Sequence, residues 1–234
     1  MERIEEMWGH LKLTKDEDEP IELEEEAREE VHRKCEWCLI GKFYMERSIG
    51  RAIVESTMVK IWRVGKQATV KEVGPNVFII TFSTQMDKKR IEEGRPWSFD
   101  NNLFVIKPFD GYVQPNMMKF DNALLWVQMH NLLLVGMNCE CGERIGRSLG
   151  VVEEVEVDED DVGWGTFLRV KVLLDLTKPI ARRRKVTING SKFWIPLKYE
   201  KLPRFYFKCG RILHEGNNWQ QSGQQEGEAA RFGL

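Results

Sequence analysis

Between residues 38 and 107 the apolar residues change four times between a two-residue and a 3.6-residue repeat, and that switching limits the chain to few folds. Residues 38–49 (CLIGKFYMERSI) read as a strand. Residues 51–64 set Ile53, Val54, Met58, Ile61 and Trp62 on one stripe, as a helix does. Residues 69–73 form a short strand, Gly74-Pro75-Asn76 supplies turn residues, and 77–82 is a strand rich in β-formers. Ser83 or Thr84 caps a helix that runs through Glu93 and stops at Gly94, and Asn101-Asn102 opens a strand over 103–107. The order β-α-β-β-α-β predicts an α+β domain of ferredoxin-like topology.

RNA-recognition motifs share that topology and stack bases on aromatics of the central strands. With Phe82 as the closing aromatic of the relevant strand, the stacking places fall on Val77 and Ile79, which have no π face. The first sheet is therefore expected to be a folded platform and not a base-binding surface.

A smaller β-rich region with one helix and a hairpin follows. After a linker over 109–118, residues 124–128 read as a strand, and 132–150 (LLLVGMNCECGERIGRSLG) as a loop leading into a helix that ends near Gly150. Residues 151–157 and 167–176 are strands. Residues 185–188 pair with 192–197 across Asn189-Gly190, the strongest short hairpin signal in the chain. The acid run 153–161, seven acids in nine residues, is expected to be a solvated loop. Cys35 and Cys38 have C-x2-C spacing with no second pair at a finger distance, and Cys139 and Cys141 have no donor nearby beyond Glu143, so both pairs are expected to be structural.

The formal charge of −2 conceals a strong segregation. Residues 1–36 carry fourteen acids against six bases, whereas residues 168–208 carry twelve Lys and Arg against Asp175 and Glu200. A segment that basic attracts phosphates. Ile4, Met7, Trp8 and Leu11 give residues 1–13 an amphipathic helical pattern; residues 22–36 have few apolar side chains and read either as a solvated helix or as disorder. The tail 220–234, rich in Gln and Gly, has no apolar period and is expected to be disordered. No apolar run is long enough to span a bilayer, and the acidic N-terminus is unlike a secretory leader, which points to an intracellular protein of nucleus or cytoplasm with reduced thiols. The four histidines are scattered, and no nucleophile elbow, phosphate loop or H-E-x-x-H occurs, so no enzyme is expected.

Residues 197–219 carry the outline of a CCHC zinc knuckle, C-x2-C-x4-H-x4-C. Cys209 and His214 sit at the C-x4-H spacing, but the outer cysteines would stand at Tyr206 and Trp219. Two protein donors make a very weak zinc site, and without the metal this stretch is expected to be unfolded or merely packed. No cofactor is expected, and zinc would enter only if this degenerate knuckle still held it.

RPWSFDNNLFVIKPF, ALLWVQMHNLL, RVKVLLDLTKPIARRRKVTING and WIPLKYEKLPRFYFKCGRILH, in that order, resemble the plant domain of unknown function 4283 followed by a CCHC knuckle, over about residues 1–219. Such proteins look like products of plant LINE-type (non-LTR) retrotransposons or genes derived from them. The resemblance implies binding of single-stranded RNA or DNA, largely sequence-tolerant, with self-association as a further expectation and no membrane partner. Of the family's zinc ligands only Cys209 and His214 carry over, as remnants. The nucleic-acid contacts are then expected from Arg182, Arg183, Arg184 and Lys185, beside Phe193 and Trp194, with Lys198, Lys201, Arg204 and Lys208 following. The other reading is a decayed or domesticated protein-interaction module. The expected layout is an acidic arm (1–36), an RRM-like domain (37–110), a β-rich part with the basic hairpin (111–202), the knuckle remnant (203–219) and a tail (220–234).

Overall fold

A computed structural model of the chain describes residues 19–22, 24–45, 47–64, 68–206 and 208–212. The expected helix in 1–13 and the tail 220–234 lie outside them. The chain divides into two compact units, Met1–Lys42 with Arg47–Glu93 and Ile106–Met118, and Phe43–Glu46 with Gly94–Val105 and Lys119–Leu234. The fold is α+β, with two antiparallel five-stranded sheets.

The first sheet is built from β1 (Cys38–Phe43), β2 (Thr69–Gly74), β3 (Val77–Thr81), β4 (Trp97–Phe99) and β5 (Asn102–Pro108), in the order β2-β3-β1-β5-β4. Helix α1 (Glu25–Cys35) precedes it, α2 (Arg51–Trp62) joins β1 to β2, and α3 (Gln85–Glu93) follows β3. The predicted β-α-β-β-α-β order is present, with β4 added as a short partner of β5 across Asp100 and Asn101, whose φ angles of 51° and 57° suit a tight hairpin turn. Segment 22–36, left open between a solvated helix and disorder, is helical over α1 and exposed along most of its length.

The strand expected over 38–49 stops at Phe43. The Asn76 side chain explains the loop beyond it: its Oδ1 accepts the Ile49 N–H at 2.8 Å and its Nδ2 donates to the Arg47 carbonyl at 3.1 Å. Pairing of Ile40 with Ile79 and of Lys42 with Val77 puts these four residues on one face of the sheet. Ile40 is fully buried, so that face is closed at its centre, in line with a platform.

The second sheet contains β6 (Asn122–His130), β7 (Val151–Glu156), β8 (Phe167–Asp175), β9 (Arg183–Ile188) and β10 (Ser191–Tyr199), in the order β7-β8-β6-β10-β9. Raising every index of the first sheet by five gives this order, so the two sheets repeat one topology. Among the described residues one α-helix, α4 (Cys139–Arg147), serves the second sheet; the β9–β10 hairpin follows β8 without a counterpart of α3. Asn189 and Gly190 turn the hairpin at φ 49° and 78°, as the dipeptide demands.

Helix α4 packs on β7 and β8 through glycines. A Cβ on Gly142 would stand 2.7 Å from Val155 Cγ1, and one on Gly146 2.6 Å from Val152 Cγ2 and 3.2 Å from Val170 Cγ1. Asn138 caps the helix, its Oδ1 accepting the Cys141 N–H at 2.9 Å, while Asp161 accepts the Cys139 N–H at 2.9 Å. Burial raises the Cys139 thiol above its ordinary value, with Glu143 and Asp161 adding to the effect, so it stays protonated near neutrality. Cys38 is buried, its thiol 3.4 Å from the Lys34 carbonyl and 3.2 Å from Thr81 Oγ1, a structural placement.

The acid run 153–161 differs from expectation. Glu153, Glu154 and Glu156 stand in β7, and cations on β8 hold them there: Lys171 Nζ lies 3.5 Å from Glu153 and 3.8 Å from Glu154, and Arg169 lies 3.1 Å from Glu156. Only the second half of the run is loop. Among the described residues no helix is long and apolar enough to cross a membrane.

Gly146→Ala should destabilise the protein by about 1–3 kcal/mol despite the better helix propensity of alanine, because the helix must retreat from β7 and β8. A denaturant titration followed by circular dichroism measures this, and an unchanged or raised midpoint would contradict the packing described.

Candidate nucleic-acid interface

Strand alternation divides the basic run 182–185. Arg183, Lys185 and Thr187 are exposed on one face of β9, whereas Arg184, Val186 and Ile188 turn to the other face and are partly buried. On β10, Trp194 stands opposite Lys185, Pro196 opposite Arg183, and Lys192 opposite Thr187. The Arg183 guanidinium lies 4.3 Å above the Trp194 ring centre and Lys185 Nζ 5.4 Å from it, while the indole remains 48% exposed. These are cation–π distances, so two cations and an accessible aromatic form one compact unit.

Arg184 has a different role. Its Nε donates to Ser148 Oγ and its Nη2 to the Ser148 carbonyl, both at 3.0 Å, at the end of α4 where the last carbonyls lack helical partners. Arg182 is exposed at the bend before β9, and its carbonyl accepts the Leu197 N–H at 2.9 Å. Lys198 is exposed on the face of Trp194, opposite Gln128 of β6. Lys201 lies in the turn after β10, its Nζ 5.9 Å from the Trp97 ring; Arg204 and Lys208 are exposed farther along. The hairpin thus groups Arg183, Lys185, Trp194 and Lys198, and sets Arg184 apart. Phe193, expected beside Trp194, has the opposite parity and pairs with Val186.

The same face continues across the sheet. Paired register sets Lys198, Gln128, Arg169 and Glu156 in one row, and Trp126, Lys171 and Glu154 in the next. Arg169 grips both oxygens of Glu200, at 2.9 and 2.8 Å, and also reaches Glu156; Gln128 donates to Glu200 at 2.9 Å. The hydrogen bond from Arg169 holds the Glu200 carboxyl below the usual glutamate range. Arg169 also lies 3.9 Å above the Trp126 ring. His130 approaches Phe167 of β8 at 5.1 Å between ring centres, and burial, followed by the charge of Lys198, lowers its pKa, which leaves it neutral at pH 7. Sequence reasoning missed this part of the face; the alternation of Trp126, Gln128 and His130 along β6 was the available signal.

Part of the knuckle remnant is a turn held by its own backbone. Cys209 and Gly210 donate to the Tyr206 carbonyl at 3.2 and 2.6 Å, Tyr206 donates to the Arg211 carbonyl at 2.8 Å, and Gly210 has a φ of 70° that favours glycine. Ile180 donates to the Gly210 carbonyl at 2.9 Å and Ile212 is buried, which fixes the turn to its unit. Of the two expected outcomes, packing describes residues 208–212. His214 and Trp219 lie outside the described residues. Among the described residues no three His, Cys, Asp or Glu side chains converge on a metal-sized site. The residues do not fit the ion: a phenol occupies the first donor position of the turn, an indole the last in the sequence, and only Cys209 and His214 supply donors.

Two family models match the chain. That of a domain of unknown function (DUF4283) covers residues 31–117, and that of a zinc knuckle covers 174–221. This chain carries a DUF4283 domain followed by a zinc-knuckle region. The knuckle match begins at Leu174, so it takes in the β9–β10 hairpin as well as the turn. No curated protein matches the chain.

Arg184→Ala should cost about 1 kcal/mol of stability through loss of the contacts at the end of α4, while affinity for single-stranded oligonucleotides stays within twofold. A thermal melt paired with a binding titration checks both. A large loss of affinity with an unchanged melt would return Arg184 to the interface.

Proposed function

We propose that this DUF4283 and zinc-knuckle chain is a non-enzymatic, retrotransposon-derived protein of the plant LINE type that binds single-stranded RNA or DNA with little sequence preference, in the nucleus or cytoplasm. The observation that carries this reading is the exposed face of the β9–β10 hairpin. There Arg183, Lys185 and Lys198 have no ion-pair partner among the described residues, and Trp194 lies between the first two. Unpaired cations attract phosphates, and an adjacent open indole offers a base a stacking surface. The zinc-knuckle match, which includes this hairpin, suggests nucleic-acid binding in the same region.

The double variant Arg183→Ala, Lys185→Ala should bind a single-stranded 20-mer at least tenfold more weakly at low salt. The slope of log affinity against log salt should fall by roughly 1.4, the share of two phosphate contacts. Titration by fluorescence anisotropy over a range of potassium chloride concentrations reads both, and wild-type affinity with an unchanged slope would refute the assignment.

Zinc has no part in this reading. Tyr206 and Trp219 remove two of four donors, and backbone hydrogen bonds account for the turn at 206–211. Purified protein is expected to contain well under one zinc per chain, with an unchanged melting temperature after chelator treatment. Stoichiometric zinc by elemental analysis would overturn this part.

A second reading, a protein-interaction module, draws on the exposed apolar residues Leu134, Val135 and Trp164 of the second unit. It is the reading to adopt if the wild-type chain shows no salt-dependent binding to nucleic acid.

A further inference from the structure

The nucleic-acid reading leaves open how bases are held, and the repeated topology supplies an answer. In β-α-β-β-α-β domains that bind single strands, the stacking aromatics project from the two central strands of the sheet. The first sheet has Ile40, Val77 and Ile79 at those places and is buried at its centre. In the second sheet the strand order is the same, so β6 and β8 take the places of β1 and β3. These two strands present Trp126, His130 and Phe167 on the face that is not covered by α4.

Not all of that face can take a base. Arg183 lies over Trp194 with no carboxylate partner among the described residues and leaves that indole 48% exposed, but at the β7 side Arg169 covers Trp126 and is held in place by Glu156 and Glu200, with Glu153 and Glu154 around Lys171. Four carboxylates against two cations repel phosphate there. Toward β10 and β9 the balance reverses, because Arg183, Lys185 and Lys198 have no acidic partner among the described residues. His130 and Phe167 lie at the border of the two regions. His130 and Trp194 stand on adjacent strands, offset by about two residues along them, which puts their backbones on the order of 8 Å apart, within reach of neighbouring nucleotides in an extended strand.

Resting on the hairpin reading above, we propose that a single strand crosses the β6–β10–β9 side of the second sheet, its bases stacking on Trp194 and on the His130–Phe167 pair and its phosphates meeting Arg183, Lys185 and Lys198. The ion-paired Arg169–Trp126 region bounds the site. Paired bases cannot reach the rings, so this mode favours single strands over duplexes, which the hairpin cations alone would not do.

The test uses the full-length chain with a 20-nucleotide oligo(dT) strand and a duplex of equal length. Trp194→Ala should weaken oligo(dT) binding by roughly 5- to 100-fold, the range for one lost stacking platform. It should remove most of the tryptophan quenching on binding, leave the salt slope unchanged and alter duplex affinity by less than twofold. Phe167→Leu, which keeps apolar volume, should weaken oligo(dT) several-fold in the same selective way. Because Trp194 is half exposed, its variant is expected to fold, and an unchanged melt verifies it. Wild-type oligo(dT) affinity in Trp194→Ala, or an equal loss for strand and duplex, overturns the stacking proposal while a binding loss in Arg183→Ala, Lys185→Ala still upholds the phosphate reading. A wild-type chain that binds neither probe overturns both.

Discussion

Among the described residues a single α-helix, α4, covers one side of a five-stranded sheet, and much of the second unit follows from that constraint. With no helix between β8 and β9, the core side of β6, β8 and β10 depends on α4 and on the loop before it. Gly142 and Gly146 let the helix sit close enough to β7 and β8 to bury Val170 and Val172 completely. Leu132 and Met137, before α4, are buried, and a Cβ at Gly136 would be 3.7 Å from Ile188 of β9. Arg184, on the inner face of β9, then reaches the end of α4. Its positive charge stabilises the helix terminus, and what the sequence presents as one block of four cations is divided between structure and surface.

The division matters because charge on a sheet surface is read by neighbours across strands and not by neighbours in sequence. Arg169 and Lys171 belong to the basic segment, yet both are committed to acids of β7 and to Glu200. The face consequently has an acidic side at β7 and a basic side at β9. On the proposed reading a bound phosphate backbone would be confined to the basic side without any wall, since displacing Arg169 would leave the partly buried Glu200 carboxylate, and the exposed Glu156, without their partner. The salt-bridge network clasps the strands, and on the proposed reading it is a boundary as well.

Elements with strong local rules were legible in the sequence, and arrangements made by distant residues were not. Asn189-Gly190 forced its hairpin, and the periodicity of residues 38–107 gave the strand and helix order of the first sheet. The end of β1 was misplaced because Asn76, some thirty residues away, takes over the Ile49 N–H. Sequence alone presents the acid run 153–161 as solvated because its partners Arg169 and Lys171 follow on the next strand. The repeated topology was hidden for a related reason: the second copy lacks a helix, so the pattern of elements does not recur, whereas the strand order in space does. In the basic run, strand alternation, which the sequence already carries, separates Arg184 from Arg183 and Lys185.

The knuckle remnant shows which part of a metal-site loop depends on the metal. In such loops the ion supplies most of the folding free energy, on the order of 10 kcal/mol in isolated peptides. On the proposed reading the turn from Tyr206 to Arg211 has no such source, and its hydrogen bonds and the left-handed Gly210 come from the chain itself. Two features replace the ion: Ile180 and Pro179 pair with the turn from the segment preceding β9, and Ile212 is buried. A turn docked in this way owes its order to the unit that carries it, so loss of the outer ligands removes the chemistry and spares the backbone.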